Sequence, residues 1–215
     1  TSEMYGLNER NEKKLNEKSH FNPISPYSIA KLSAYHHVRM YRNSYNIFAS
    51  NGILFNHESP LRGEQFVTKK IVKALTEIKF NKKKDTLKLG NIYSKRDWGH
   101  AKDYVDMMYK ILIHKKADDF VISSEKQFSI KEFIILVCKK LNMPIKWQGK
   151  GLNEKGVYNN KVIIEILKEF FRPNDVVYLL GDSSKAKNVL KWKPNKNINP
   201  LIDDMVNFEI NNLKK

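Results

Sequence analysis

Short apolar runs of strand length alternate along this chain with stretches whose apolar residues recur at helical spacing, and that alternation constrains it to an α/β architecture. Ser25-Pro26 reads as an N-cap followed by proline at the first helical position. Ile29, Leu32, Tyr35 and Val38 continue at helical spacing, predicting a helix over 26–44. Further helices are expected over 63–79, 100–114 and 129–141, and from Asn199-Pro200 to about Leu213. Ser129 and Glu132 form a capping box for the third of these. Strands are expected over 46–54, 86–89, 119–122 and 145–148, the first running into a loop at Asn56-His57-Glu58. Arg96-Asp97-Trp98-Gly99 reads as a turn, 7–22 as a polar loop, and the Gly- and Asn-rich stretch 149–160 as a mobile connection.

A length of 215 residues allows one or two domains with a sizeable core, and an apolar fraction of 41% is that of a globular chain. No apolar run approaches about 18 residues, so no transmembrane helix is expected. Residues 1–20 are polar, so no signal peptide is expected there. Cys138 is the single cysteine and is expected to be a buried thiol, which fits a reducing cytoplasmic setting. The net charge of +16 invites a nucleic-acid partner, but the lysines are scattered. The densest run, Lys79 to Lys84, has only Phe80 as an interleaved aromatic, so it reads as a solvated loop and no nucleic acid or membrane partner is expected.

Tyr27 and Lys31 stand at i and i+4 and share one helix face. A free phenol, with a pKa of about 10, is a poor base at neutral pH, and a nearby ammonium favours the phenolate. Thr1 and Glu3 add a hydroxyl and a carboxylate to this set. His36 and His37 are adjacent on the helix and point to different faces, and no Cys/His cluster has metal-ligand spacing, so no metal is expected. The nine glycines never form G-x-G-x-x-G or G-x-x-G-x-x-G after a strand, so the phosphate-binding turn of a Rossmann unit is not in this sequence.

Several blocks in order resemble the GDP-mannose 4,6-dehydratase family of extended short-chain dehydrogenases/reductases. They are Thr1-Ser-Glu-Met-Tyr-Gly6, Ser25-Pro-Tyr-Ser-Ile-Ala-Lys31, Asn51-Gly-Ile-Leu-Phe-Asn-His-Glu-Ser-Pro60, Phe66-Val-Thr-Lys-Lys-Ile71, Arg96-Asp-Trp-Gly-His-Ala-Lys-Asp-Tyr-Val105, Arg172-Pro173, Gly181-Asp182 and Trp192-Lys-Pro194. The resemblance implies the C-terminal half of an NAD(P)-binding Rossmann domain plus a smaller α/β substrate-binding lobe. Residues 1–57 would hold the catalytic helix and 58–215 mainly the GDP-sugar lobe, with about 95–124 returning to the Rossmann domain. The chain does not begin with Met, and an N-terminal portion carrying the first βαβαβ unit is expected to precede it. The 215 residues alone are expected to be inactive for want of the glycine turn.

The same resemblance implies catalytic roles for Thr1, Glu3, Tyr27 and Lys31, and contacts to the cofactor NADP from Tyr27, Lys31, His57 and Arg62. Asn56, Lys70, Arg96, Arg172 and Asp175 would serve the substrate GDP-mannose: Asn56 the nucleotide sugar, Lys70 the guanine, Arg96 and Arg172 the diphosphate and ribose. Asp175 stands where the family has Glu, and Leu61 where a second Arg is common in a loop used at a subunit interface. A homo-oligomer, dimer or tetramer, is expected of the full-length form. The alternatives are a noncatalytic nucleotide-sugar-binding fragment or pseudoenzyme, a basic nucleic-acid-binding module, and a different sugar-nucleotide epimerase or dehydratase. Glu3 separates dehydratases from simple epimerases.

Overall fold

The computed structural model describes residues 1–7, 12–82, 85–171 and 178–214. After a 3-10 turn over Ser2–Tyr5, the elements in chain order are α1 (Pro26–Tyr45), β1 (Asn51–Leu54), β2 (Asn56–Glu58), α2 (Val67–Lys79), β3 (Leu87–Leu89), β4 (Lys95–His100), α3 (Ala101–Leu112), β5 (Asp119–Ile122), β6 (Gln127–Ser129), α4 (Ile130–Lys140), β7 (Lys146–Gln148), β8 (Lys155–Tyr158), β9 (Lys161–Ile166), β10 (Tyr178–Leu179), α5 (Ser184–Leu190) and α6 (Ile198–Asn212). Two compact units divide the chain. One comprises Thr1–His57, Arg96–Gln127 and Tyr178–Asn197, the other Glu58–Lys95, Phe128–Val177 and Ile198–Lys215.

In the first unit β1 and β5 run parallel, with Gly52 opposite Phe120 and Ile53 opposite Val121. Their apolar side chains close on α3 and α5. Tyr104, Met107 and Ile111 meet Phe120, Ile122, Ala186, Leu190 and Trp192 in one buried cluster. The Trp192 indole N–H donates to the Asp103 carbonyl at 3.2 Å, and the Asp103 carboxylate accepts the amides of Asn195 and Lys196 at 3.1 and 2.9 Å. The buried carboxylate thus satisfies the backbone that follows α5, and the buried ring a carbonyl of α3.

The second unit joins a sheet of order β3-β9-β8-β7 to three helices. β3 and β9 are parallel, whereas β9, β8 and β7 run antiparallel in turn. α2, α4 and α6 pack on one another. Ile71, Val72, Leu75, Phe133, Val137, Cys138, Leu201 and Val206 form their fully buried seam. The α4 capping box forms as expected: the Ser129 hydroxyl accepts the Glu132 amide at 3.1 Å, and the Glu132 carboxylate accepts the Ser129 amide.

Four local readings differ from the structure. The Arg96–Gly99 run is not a turn but the middle of β4, because Asp97 and Trp98 are buried there. The first strand begins at Asn51, not Asn46, because Asn46 takes the left-handed conformation (φ 52°) and ends α1. Residues 155–158, expected to be mobile, form β8 paired on both edges. The segment Tyr178–Asn197 lies in the first unit, where the Leu15 amide donates to Leu180 O and the Asp182 amide to Leu15 O, both at 2.8 Å. No helix among the described residues is long and apolar enough to cross a membrane.

Candidate active site

α1 is started by its own side chains. The Ser25 hydroxyl accepts the Ser28 amide at 3.1 Å, the Ser28 hydroxyl accepts the Ser25 amide at 3.0 Å, and Pro26 occupies the first turn. The helix buries only Ser28 and Tyr35 and leaves both Tyr27 and Lys31 exposed, Tyr27 by 55%. The Lys31 ammonium lies 5.7 Å from the centroid of the Tyr27 ring, so the i, i+4 pair faces solvent together.

The turn Ser2–Tyr5 packs against α1. Thr1 caps it, its hydroxyl accepting the Glu3 amide at 3.3 Å. Gly6 closes the turn at φ 54°, and a Cβ there would stand 1.6 Å from the Asn22 carbonyl oxygen, so the position admits no side chain. Tyr5, fully buried, donates its hydroxyl to Asn16 O at 2.8 Å and stacks near Phe21 and Phe55 at 5.0 and 6.0 Å. Phe21 meets Tyr35 edge-on at 5.1 Å. This aromatic chain ties the Glu3 turn to α1 and to the end of β1.

His57 sits in β2 with Nδ1 2.9 Å from the Phe55 carbonyl and its ring 5.1 Å from that of Tyr104. A carbonyl only accepts, so Nδ1 carries the proton in that bond. Asn56 precedes it, half-buried, and Arg96 is half-buried within β4. Asp97 beside it is fully buried. Burial pushes its carboxyl up to about 6, against bonds from the Ser124 hydroxyl (2.6 Å) and the amides of Ser124, Gly181 and Glu125.

In the second unit, Lys70 donates to the Lys88 carbonyl at 2.8 Å and lies 4.7 Å above the Phe170 ring. Arg62 pairs with Glu58, Nε to Oε2 at 3.2 Å. Glu58 was not singled out from sequence; its place four residues before Arg62, between His57 and Ser59, was the available signal. Arg172 and Asp175 lie outside the described residues. Thr1, Glu3, Tyr27, Lys31, Asn56, His57 and Arg96 therefore belong to one unit, and Arg62 and Lys70 to the other. Among the described residues no group of His, Cys, Asp and Glu could hold a metal ion.

The fold is that of nicotinamide-cofactor-bound epimerases and dehydratases acting on nucleotide sugars. The dTDP-glucose 4,6-dehydratase of Bacillus anthracis, solved with NAD, superposes with a TM-score of 0.80 at 19% identity over 100% of this chain and 61% of that one. RMD from Pseudomonas aeruginosa, solved with NADPH, superposes at 0.79 and 17% identity, over 96% and 63%. The chain belongs to the GDP-mannose 4,6 dehydratase family, whose profile matches residues 1–205. It is 42% identical to the GDP-mannose 4,6 dehydratases of Drosophila melanogaster (100% of this chain, 54% of the relative) and Homo sapiens (98% and 56%). The chain thus spans about half the length of the curated relatives it matches.

Proposed function

We propose that this chain carries the acid/base groups of a GDP-mannose 4,6-dehydratase, which converts GDP-D-mannose to GDP-4-keto-6-deoxy-D-mannose and water. The observation that carries the reading is family membership over residues 1–205. The exposed Tyr27–Lys31 pair on a capped helix, beside the turn that bears Glu3, supports it.

The residues suit a dinucleotide: a phenol and an ammonium side by side in solvent, and an imidazole whose Nδ1 is already committed to Phe55 O. NADP, when bound, supplies the hydride acceptor at C4 and the donor at C6. Tyr27, with Lys31 beside it, takes the proton from the sugar O4, and the Thr1 hydroxyl donates to the same oxygen. Once C4 is a carbonyl, the proton on C5 is acidic, and the Glu3 carboxylate removes it. The C6 hydroxyl leaves as water with the proton Glu3 took, and hydride delivered to C6 is matched by a solvent-derived proton at C5. His57 and Arg62 would serve the cofactor, and Asn56, Lys70, Arg96, Arg172 and Asp175 the nucleotide sugar. NADP rather than NAD, a homo-oligomeric full-length form and a cytoplasmic setting belong to the same proposal.

The test is reconstitution. The 215-residue chain is mixed with the N-terminal half of a 42%-identical relative and given GDP-mannose and NADP in D2O. The expected product is the 4-keto-6-deoxy sugar with one deuterium at C5. Y27F should abolish turnover, and E3Q should allow C4 oxidation but stop dehydration. Product without deuterium at C5, or unimpaired turnover by Y27F, refutes the mechanism. GDP-mannose binding that NADP leaves unchanged, with no turnover in any mixture, would favour a noncatalytic binding protein.

A further inference from the structure

The turn that bears Glu3 and the helix that bears Tyr27 are joined by one strap of chain, and residues 12–25 of it are fastened within the first unit at two neighbouring points. Leu15 is held by its backbone, its amide donating to Leu180 O and its carbonyl accepting the Asp182 amide, both at 2.8 Å. Glu17 is held by its side chain, the carboxylate accepting the Val121 amide at 2.7 Å. In the parallel β1–β5 pair the Phe55 amide donates to Ile122 O, so Ile122 faces β1 and the Val121 amide points to the other edge of β5. Val121 is fully buried, and a buried amide without an acceptor is costly. Lys185 serves the same edge, donating to Asp119 O at 2.8 Å.

Asn16 lies between the two anchors, and its carbonyl accepts the Tyr5 hydroxyl at 2.8 Å. Further along, the Asn22 amide donates to Met4 O at 3.1 Å, and the Asn22 carbonyl closes against Gly6. Met4, Tyr5 and Gly6, which follow Glu3 directly, are thus held by the strap. The strap then enters α1 through Ser25, the N-cap, and Phe21 lies against the rings of both Tyr5 and Tyr35 at 5.0 and 5.1 Å. The Glu3 turn and the start of α1 are therefore placed from the same few residues. Holding an anion there has a cost: burial pushes the Glu17 carboxyl up, opposed by the Val121 amide and by the Lys185 charge.

We propose that Glu17 is a positioning residue for removal of the C5 proton: by clamping Asn16 against β5 it holds the Glu3 turn in fixed register with Tyr27. This rests on the reading of Glu3 as the base at C5 and of Tyr27 as the group that takes the O4 proton. C4 oxidation depends on Tyr27, and α1 is held independently of the strap, by the Ser25–Ser28 capping box at its start and by Arg42 on Asp119 at its end. The next step needs the Glu3 carboxylate at C5 as well. A slack strap should slow that step and spare the first.

Amide exchange by NMR on the 215-residue chain tests the tether without any turnover. E17A should quicken exchange at Val121, Met4, Gly6 and Asn22 and leave α1 slow. E17Q keeps an acceptor oxygen for Val121 and should restore all four. In the reconstituted mixture with GDP-mannose and NADP⁺, E17A should slow dehydration between about tenfold and a hundredfold relative to C4 oxidation, so that reduced cofactor accumulates in a single turnover. Should E17A fail to fold by circular dichroism, Y5F breaks the same tether at its other end and should give the same imbalance. Wild-type exchange at Met4, Gly6 and Asn22 in E17A overturns the tether. Fast exchange there, with oxidation and dehydration falling in equal measure, overturns the positioning role and leaves the acid/base assignments intact. No turnover by the wild-type mixture counts against those assignments instead, and exchange in the isolated chain still decides the tether.

Discussion

Arg42 grips Asp119 with two guanidinium hydrogen bonds, Nη1 to Oδ1 at 2.9 Å and Nη2 to Oδ2 at 3.1 Å, and so ties the last turn of α1 to the start of β5. Tyr35 adds its hydroxyl at 3.1 Å and Asn51 its side-chain amide at 2.9 Å. The helix that presents Tyr27 and Lys31 is anchored at its far end by one carboxylate. Asp119 is 6% exposed, so removing it leaves the Arg42 cation, the Tyr35 hydroxyl and the backbone and side-chain N–H groups of Asn51 without their acceptor. D119A is expected to cost about 3 kcal/mol, read as a lower urea midpoint with an unchanged slope. A cost below about 1 kcal/mol would show that solvent replaces the clamp.

Asp97 and Glu125 titrate in opposite senses. Burial pushes Asp97 up to about 6, above its ordinary 3.8, so the folded state binds its proton more tightly. Its contribution to stability is complete below the ordinary value and lost as pH rises through 6. Burial also pushes Glu125 up, but bonds from Lys187 (2.7 Å), the Ser183 hydroxyl (2.8 Å) and the Ser183 amide (3.0 Å) outweigh it and hold it at about 2. That contribution is present above 4.5 and fades as pH falls toward 2. Thermal midpoints measured against pH should lose their acid limb in E125Q and their decline toward pH 6 in D97N. Parallel profiles for all three proteins would contradict both assignments.

Gly6→Ala should disorder the turn that bears Glu3 while leaving α1 helical. The position needs φ 54°, and the new methyl would meet the Asn22 carbonyl at 1.6 Å. Amide exchange should quicken over Ser2–Tyr5 and stay slow in α1, and dehydration in the reconstituted enzyme should fall with it. Wild-type exchange over residues 2–5 would refute this.

Cys138, 1% exposed on α4, has its thiol pushed up to about 12 by burial. Alkylation of the native chain by iodoacetamide should therefore follow unfolding of the second unit and track denaturant, with no fast phase. A burst of labelling in native buffer would mean that α4 opens locally.

Trp192 fills the centre of the first unit at 2% exposure, with its N–H on Asp103 O. W192A is expected to cost about 4 kcal/mol by denaturant melts, and W192F less, since the ring volume is largely kept.

Local signals were sufficient where side chains act within a few residues of themselves. Ser25-Pro26 starts α1, Ser129 and Glu132 start α4, and Tyr27 and Lys31 share a face because the helix repeats every 3.6 residues. The block order carried family membership, since each block encodes a turn or face that the same fold needs. Residue 6 was legible as part of a block, although not the reason a side chain is excluded there. What the tertiary structure alone decided depends on partners far along the chain. Arg96–Gly99 has the composition of a turn, yet Asp97 reaches Ser124, Glu125 and Gly181, and those bonds hold the run extended in β4. The Tyr178–Asn197 segment joins the first unit through Leu15 and the core around Trp192. Glu58 looks in sequence like any loop carboxylate. Only folding buries it against Thr68 and Arg62, because burial is a property of the packed chain that the spacing to Arg62 alone does not reveal.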